Sequence, residues 1–310
     1  MRVVIAGLGI QGEKRRKIAG SDAVALVDPE NNAADYRTLE DVPLNTYNAA
    51  FLCTPDSVKI PLIRYLLENG KHVLVEKPLL SKTDGDIEAL RLLAQAKGVT
   101  CYTAYNHRFE PNIARLRELV LEGFLGKIYS LRLYYGNGTA RLVRESSWRD
   151  SGLGVLQDLG SHLLDIVHFS LGSSRPAFQL VGANRFENRV WDHAIAVSHG
   201  PPFIEIEMSL LMWRNAFRCD LIAENGSVHI DSLCKWGPAS LTIRHRVLPA
   251  GRPSEEQTIL TQADPTWALE YEHFKKCCRT GDGNIENDIW INKTLNVLAA
   301  GAGLSGESRG

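Results

Sequence analysis

"RVVIAGLGIQG", residues 2–12, runs from a short apolar segment straight into three glycines, Gly7, Gly9 and Gly12. The apolar segment reads as a buried strand, and the Gly-x-Gly-x-x-Gly after it sits where a helix begins. Glycines there allow a tight turn and let backbone N–H groups approach a pyrophosphate at a helix N-terminus. By itself that pattern is weak; its surroundings decide the fold. "AVALVD" (23–28), "NAAFLCTP" (48–55), "KHVLVEKP" (71–78) and "VTCYTAYN" (99–106) are further apolar runs ending in turn or polar residues. Helix-like segments lie between them, clearest at 57–70 and 83–98, and each of those two ends in Gly. Strands alternating with helices imply right-handed βαβ units and a doubly wound parallel sheet covered on both faces.

In such a sheet ligands bind beyond the carboxyl ends of the strands. The glycine loop, with Ile10 and Gln11 inside it, lies at the first of these ends. The second strand ends in Asp28, followed by Pro29 and Glu30 and by no arginine before Arg37. A carboxylate there accepts hydrogen bonds from ribose hydroxyls and repels a 2′-phosphate, so NAD is expected rather than NADP. The bland alternative is a strand-end turn residue. Thr54 and Pro55 close the third strand, beneath the adenosine side of a dinucleotide. Glu76-Lys77-Pro78 closes the fourth. Lys77 there is either a hydrogen-bond donor or proton relay beside the nicotinamide, or a surface lysine paired with Glu76.

From about residue 127 the pattern changes to near-alternation, at 127–136, 192–200, 203–212, 227–233 and 240–248. This reads as an α+β domain on a mostly antiparallel sheet with one face covered. The expected division is residues 1–118 and 119–310. Between the first of these strands and the rest lies "GVLQDLGSHLLDIVHF", 154–169, an apparent helix laid on that sheet. Asp158, His162, Asp165 and His168 are spaced four, three and three apart, which places side chains on one helix face. A metal site, an acid–base centre and a plain polar face are all compatible with that spacing. His168 is turned some 80° from Asp158 at about 100° per residue and reads as a packing residue. "WALEYEHFKKCCRTG" (267–281) and residues 287–306 read as closing helices.

The bulk numbers exclude several classes. Formal net charge is −1 over 310 residues, so no global basic field draws nucleic acid or an anionic membrane. The six cysteines form no C-x-x-C pair. With no apolar run of spanning length and no leader pattern at the start, a cytoplasmic protein with reduced thiols is expected.

Six blocks, "RVVIAGLGIQG", "FLCTP", "GKHVLVEKPL", "YNHRFEP", "GFLGKI" and "GVLQDLGSHLLD", appear in order. Together they resemble the Gfo/Idh/MocA family of nicotinamide-dependent oxidoreductases, from residue 2 to about 172. The resemblance implies an N-terminal Rossmann domain, a second domain on an open antiparallel sheet, and oxidation or reduction of a hydroxyl or carbonyl on sugars, inositols or nucleotide-sugars. It implicates Lys77 beside the nicotinamide and Asp158 and His162 facing the substrate, with no metal. Lys59 stands where many members carry a histidine. On this reading His162 is the base and Lys77 stabilises the reacting oxygen; the reverse assignment is also open. Asp165 would hold the helix or His162 in place.

Residues 134–150 resemble the branch linked to lipopolysaccharide and other nucleotide-sugar pathways. Arg144, Trp148 and Arg149 there could read a nucleotide diphosphate, by bidentate contacts and stacking. The main expectation is therefore an NAD-dependent nucleotide-sugar dehydrogenase or reductase. A free sugar or inositol dehydrogenase is the alternative; an NAD-retaining glycosidase and an inactive NAD-binding regulator are alternatives of other classes. The free face of the second sheet is expected to pair subunits into a homodimer or homotetramer.

Overall fold

A computed structural model describes residues 1–146, 149–172 and 174–305. In chain order it begins β1 (Val3–Ala6), α1 (Ile10–Ala19), β2 (Ala23–Val27), β3 (Ala49–Leu52), α2 (Asp56–Glu68), β4 (His72–Glu76), α3 (Asp84–Lys97) and β5 (Cys101–Ala104). It continues α4 (Pro111–Leu121), β6 (Ile128–Gly136), α5 (Ala140–Arg144), a π-helical turn (Leu156–Gly160) and α6 (Ser161–Ser170). Then follow β7 (Gln179–Asn184), β8 (His193–Ser198), β9 (Phe203–Ser209), β10 (Ala216–Ala223), β11 (Gly226–Asp231), β12 (Ala239–Val247) and β13 (Gly251–Leu260), closed by α7 (Thr266–Thr280) and α8 (Ile285–Ser305).

The chain divides into two compact units. The first is Met1–Asn106 with Pro265–Asn292; the second is His107–Asp264 with the chain from Lys293 onward. The division thus falls at 106/107 instead of 118, and α7 returns to the first unit. The reason is packing. In the first unit five parallel strands run in the order β2-β1-β3-β4-β5. β1, β3 and β5 are buried at every residue, which explains their unbroken apolar runs. Alternate residues serve opposite faces: Val4 and Ala6 pack with Ile63, Leu66, Ile87 and Leu90, while Val3 and Ile5 pack with Phe51, Tyr102, Tyr271 and Phe274. The crossover from β2 to β3 runs through a loop, residues 28–48, with one 3-10 turn at Leu44–Thr46. That face is completed by α7, whose Tyr271 and Phe274 meet Phe51 edge-on with ring centroids 5.4 and 5.7 Å away.

The second unit carries an eight-stranded sheet in the order β13-β12-β11-β10-β6-β9-β8-β7. Its pairs are antiparallel except β6 with β9. Leu131, Leu133 and Tyr135 point inward, and Arg132 between them points to the open face. β7, β10 and β13 add to the strands read from sequence; β13 is exposed along almost its whole length, so no apolar period betrays it. The expected helix at 154–169 is present but not uniform: it opens with the π turn and becomes α-helical at Ser161. Gly160 lets it approach the sheet, since a Cβ there would lie 3.0 Å from Met208 Sδ of β9.

Candidate active site

The first unit presents the glycine loop and the strand ends. Gly12 must be glycine for the fold itself, because its Cβ would lie 1.8 Å from the Gly7 carbonyl oxygen. Gly9 differs: it caps α1 with extended backbone, and a Cβ there would meet nothing within 4 Å. The protein itself gives no steric reason for glycine at 9. Space against bare backbone N–H groups at a helix start fits a pyrophosphate. Ile10 lies fully on this surface, 79% exposed, with exposed Gln11 beside it.

Asp28 stands next to the loop. Its Oδ2 accepts from Leu8 N at 2.8 Å, and its Oδ1 accepts from Glu30 N and Asn31 N, each at 2.9 Å. Partial burial opposes its charge, but the N–H groups of Leu8, Asn31 and Glu30 and the Arg37 charge outweigh it and hold the carboxyl below its usual range. Three of its roughly four acceptor positions are filled, leaving room for a ribose hydroxyl. Arg37 lies beside it, donating to the Asp28 and Asn31 carbonyls at 3.4 and 3.0 Å. At the end of β3 the Thr54 hydroxyl oxygen is buried without a protein partner among the described residues, and Pro55 caps α2. An open cradle at Gly9, an ionised Asp28 and the Thr54 hydroxyl together fit a dinucleotide.

Glu76 meets a buried cation. Its carboxylate accepts from Arg15 Nε at 2.7 Å, and Arg15 also meets Glu270 at 2.7 Å and stacks on the Trp267 ring at 4.3 Å. Arg15 and Glu270 are almost wholly buried. The Glu76 side chain is thereby a support for the strand end, and Lys77 follows it half-buried.

The second unit carries the helix site. His162 is buried and its ring stacks on His107, with centroids 4.0 Å apart and planes at 24°. Lys235 Nζ donates to His107 Nε2 at 3.0 Å, which fixes that nitrogen as an acceptor and His107 as the neutral ring. Tyr135 lies 5.4 Å from the His107 ring and 6.0 Å from His162. Burial pushes the Tyr135 phenol up, and the charge of nearby Asp158 adds to this. Trp236 stands 5.7 Å from the Tyr135 ring, with the Lys235 ammonium 4.7 Å above its own. Asp158, half-buried, has Arg149 Nη2 at 3.7 Å.

Asp165, read from sequence as holding the helix or His162 in place, is tied to Arg108. It binds Arg108 through two oxygens, at 2.8 and 3.0 Å to Nε and again through Nη2. Burial pushes its carboxyl up, against the charge and hydrogen bonds of Arg108. Since Arg108 follows His107, the pair anchors the segment that carries the stacked ring. His168 packs, with Nδ1 3.3 Å from the Ser174 carbonyl oxygen. Of the proposed arginine cluster, Arg149 reaches Asp158, Arg144 is exposed on α5, and Trp148 lies outside the described residues. Sequence reasoning missed His107, Tyr135, Lys235 and Trp236. His107 stood within a quoted block, and Lys235-Trp236 lie in a 3-10 turn shortly after β11, where ligand-facing residues often stand.

An NAD-cradling parallel sheet joined to an open-sheet unit with a buried histidine and a carboxylate on one helix defines an NAD-dependent oxidoreductase. Comparison with known proteins agrees. The model of the oxidoreductase family with an NAD-binding Rossmann fold matches residues 1–105, and that of the GFO/IDH/MocA C-terminal domain matches 113–229. The chain belongs to the Gfo/Idh/MocA family. It is similar to the scyllo-inositol 2-dehydrogenase (NAD(+)) of Bacillus subtilis (strain 168), 24% identical over 96% of this chain and 91% of that protein. It is 28% identical to the levoglucosan dehydrogenase of Pseudarthrobacter phenanthrenivorans over 148 residues, 46% of this chain and 37% of that one. The fold matches a levoglucosan dehydrogenase structure in complex with NADH and levoglucosan, with a TM-score of 0.83 at 17% identity, covering 98% of this chain and 97% of that one. Among the described residues no helix is long and apolar enough to cross a membrane.

Proposed function

We propose that this enzyme oxidises a secondary hydroxyl of a free sugar or inositol with NAD+. The observation that carries this is the buried His162 ring, stacked on a neutral His107 and set on the same helix segment as Asp158. Alcohol oxidation needs a base for the hydroxyl proton, and a buried imidazole beside a neutral ring is suited to take it. NAD+, when bound, accepts the hydride from the carbinol carbon. Asp158 hydrogen-bonds a neighbouring hydroxyl. Lys77 donates to the reacting oxygen and stabilises the alkoxide as it forms. Trp236 offers an apolar ring face of the kind that packs on a sugar, and Lys235 a donor at its rim. The similarity to inositol and anhydrosugar dehydrogenases supports a small polyol as substrate.

A nucleotide-sugar is the second reading, favoured by Arg149 beside Asp158. A panel of free sugars, inositols, levoglucosan and nucleotide-sugars with NAD+, followed at the NADH absorbance, decides between them. Turnover of a free polyol that its nucleotide-linked form does not exceed supports the first. Turnover confined to nucleotide-sugars supports the second, and no NADH with any of them refutes both.

We also read the open face of the second sheet as the surface that pairs copies of this chain. A row of Asp220, Arg132 and Glu205 alternates in charge across three neighbouring strands, around a concavity of about 470 Å³. Turned over about a two-fold axis between β6 and β9, Arg132 of one copy would face Glu205 of the other. Light scattering after gel filtration tests this; a monomer at micromolar concentration refutes it.

A further inference from the structure

Lys59 sits on α2 at a position that packing alone would give to an apolar residue. It is 2% exposed, and Ile63, Leu66 and Leu67 are the other large buried residues of that helix. Lysine is almost never buried so fully unless paired. Its ammonium has three donors, and three acceptors surround it: the Glu76 carbonyl oxygen at 2.6 Å, the Pro78 carbonyl oxygen at 2.9 Å and Asp56 Oδ1 at 2.6 Å. The two carbonyls belong to the residues on either side of Lys77. A side chain that only filled space would not seek both of them.

We propose that Lys59 is a positioning residue for Lys77. It clamps the main chain before and after Lys77, while Arg15 holds the Glu76 carboxylate from the other direction. The flexible four-carbon stem of Lys77 then springs from a fixed base, so its amine samples a narrower volume. Asp56 keeps the clamp's charge compensated and its third donor occupied. This inference rests on the reading of Lys77 as the group at the reacting oxygen.

The test compares wild type, Lys59→Met, Lys59→Arg and Lys77→Met, each loaded with NAD+. Trace labelling with isotopic acetic anhydride, read peptide by peptide in the mass spectrometer, reports the reactivity of the Lys77 amine without turnover. Lys59→Met is expected to change that reactivity at least about threefold, while exposed Lys97 labels as in wild type. With the polyol that the panel identifies, kcat is expected to fall about ten- to a hundredfold, with KM and the NADH Kd within about threefold. Lys59→Arg keeps charge and donors but presents a planar fork to three acceptors, so its kcat is expected between the two. If Lys59→Met does not fold, Lys59→Arg carries the test, with both labelling and kcat shifted. Unchanged Lys77 labelling, or wild-type kcat in a Lys59 variant while Lys77→Met is inactive, overturns the role of Lys59 alone. Full activity in Lys77→Met overturns the reading of Lys77, and the positioning role with it.

Discussion

Gly9→Ala separates the needs of the fold from the needs of the cofactor. Gly9 has φ −73° and ψ −168°, a conformation any L-residue adopts. Its new methyl would meet no protein atom within 4 Å. Alanine narrows the unfolded ensemble, worth about 0.4–1 kcal/mol, and is a poorer helix N-cap than glycine by a similar amount. The two oppose, so apo stability should stay within about 1 kcal/mol of wild type. If Gly9 belongs to a pyrophosphate cradle, the methyl would stand between the phosphates and the N–H groups of the helix start. Losing one charge-assisted hydrogen bond removes about 1.5–3 kcal/mol. At about 1.4 kcal/mol per decade that is a ten- to 150-fold rise in Kd. Gly12→Ala is the contrast: its Cβ would overlap the Gly7 carbonyl oxygen at 1.8 Å, so it should lower the melting temperature and binding together. NADH fluorescence titration and thermal melts of both variants make the measurement. A Gly9→Ala protein that binds NADH within twofold of wild type would refute the cradle.

His162→Ala should lower kcat by about two to four orders of magnitude, the usual contribution of a positioned acid–base group, with the NADH Kd unchanged in a fluorescence titration. Arg108→Met leaves Asp165 buried without its cation and should cost about 3–5 kcal/mol in urea unfolding; an unchanged midpoint would show that the pair is not formed. Asp28→Asn keeps an acceptor but removes the charge beside Arg37, and should improve NADPH binding relative to NADH about tenfold; equal change in both affinities would place the ribose elsewhere. His72 and His168 are held by burial below the usual imidazole pKa, so the folded chain takes up their protons at lower pH than the unfolded chain does. The unfolded chain takes up those protons below about pH 6.5, so stability should decline on acidification from there. A His168→Gln variant should show a flatter decline in urea midpoints between pH 7 and 5.

The first unit was legible because its strands are buried on both faces and its ligand sits at their ends. Apolar runs, glycine spacing and Asp28 are all local signals. The α7 helix was misassigned because its amphipathic pattern says that one face is covered, not by which sheet. What covers it is Phe51, more than two hundred residues earlier, met by Tyr271 and Phe274. The same limit hid Arg15. On sequence it belongs to a basic run that reads as a solvated helix face. In the fold it reaches Glu76 and Glu270 and is 1% exposed. Charge partners so distant in sequence leave no periodic trace, so buried ion pairs are where pattern reading fails.

That failure has a functional consequence. The residues read from sequence, Lys77 and His162, are long or rotatable side chains that need neighbours to fix them. In each unit the neighbours are residues whose partners the sequence could not name. Lys59 and Arg15 tie the main chain and side chain flanking Lys77. His107 supports His162 by ring stacking and is itself held by Lys235, while Arg108 next to it is locked on Asp165. Chemistry-bearing residues are recognisable because few residue types can do the work. Supports are not, because any donor of the right reach can hold a carbonyl or a ring. Substrate preference should therefore be sought at groups such as Lys235, Trp236 and Arg149. Lys235→Met should raise KM for the preferred polyol more than it lowers kcat. The opposite split would place Lys235 with the supports of His162 and remove it from the substrate.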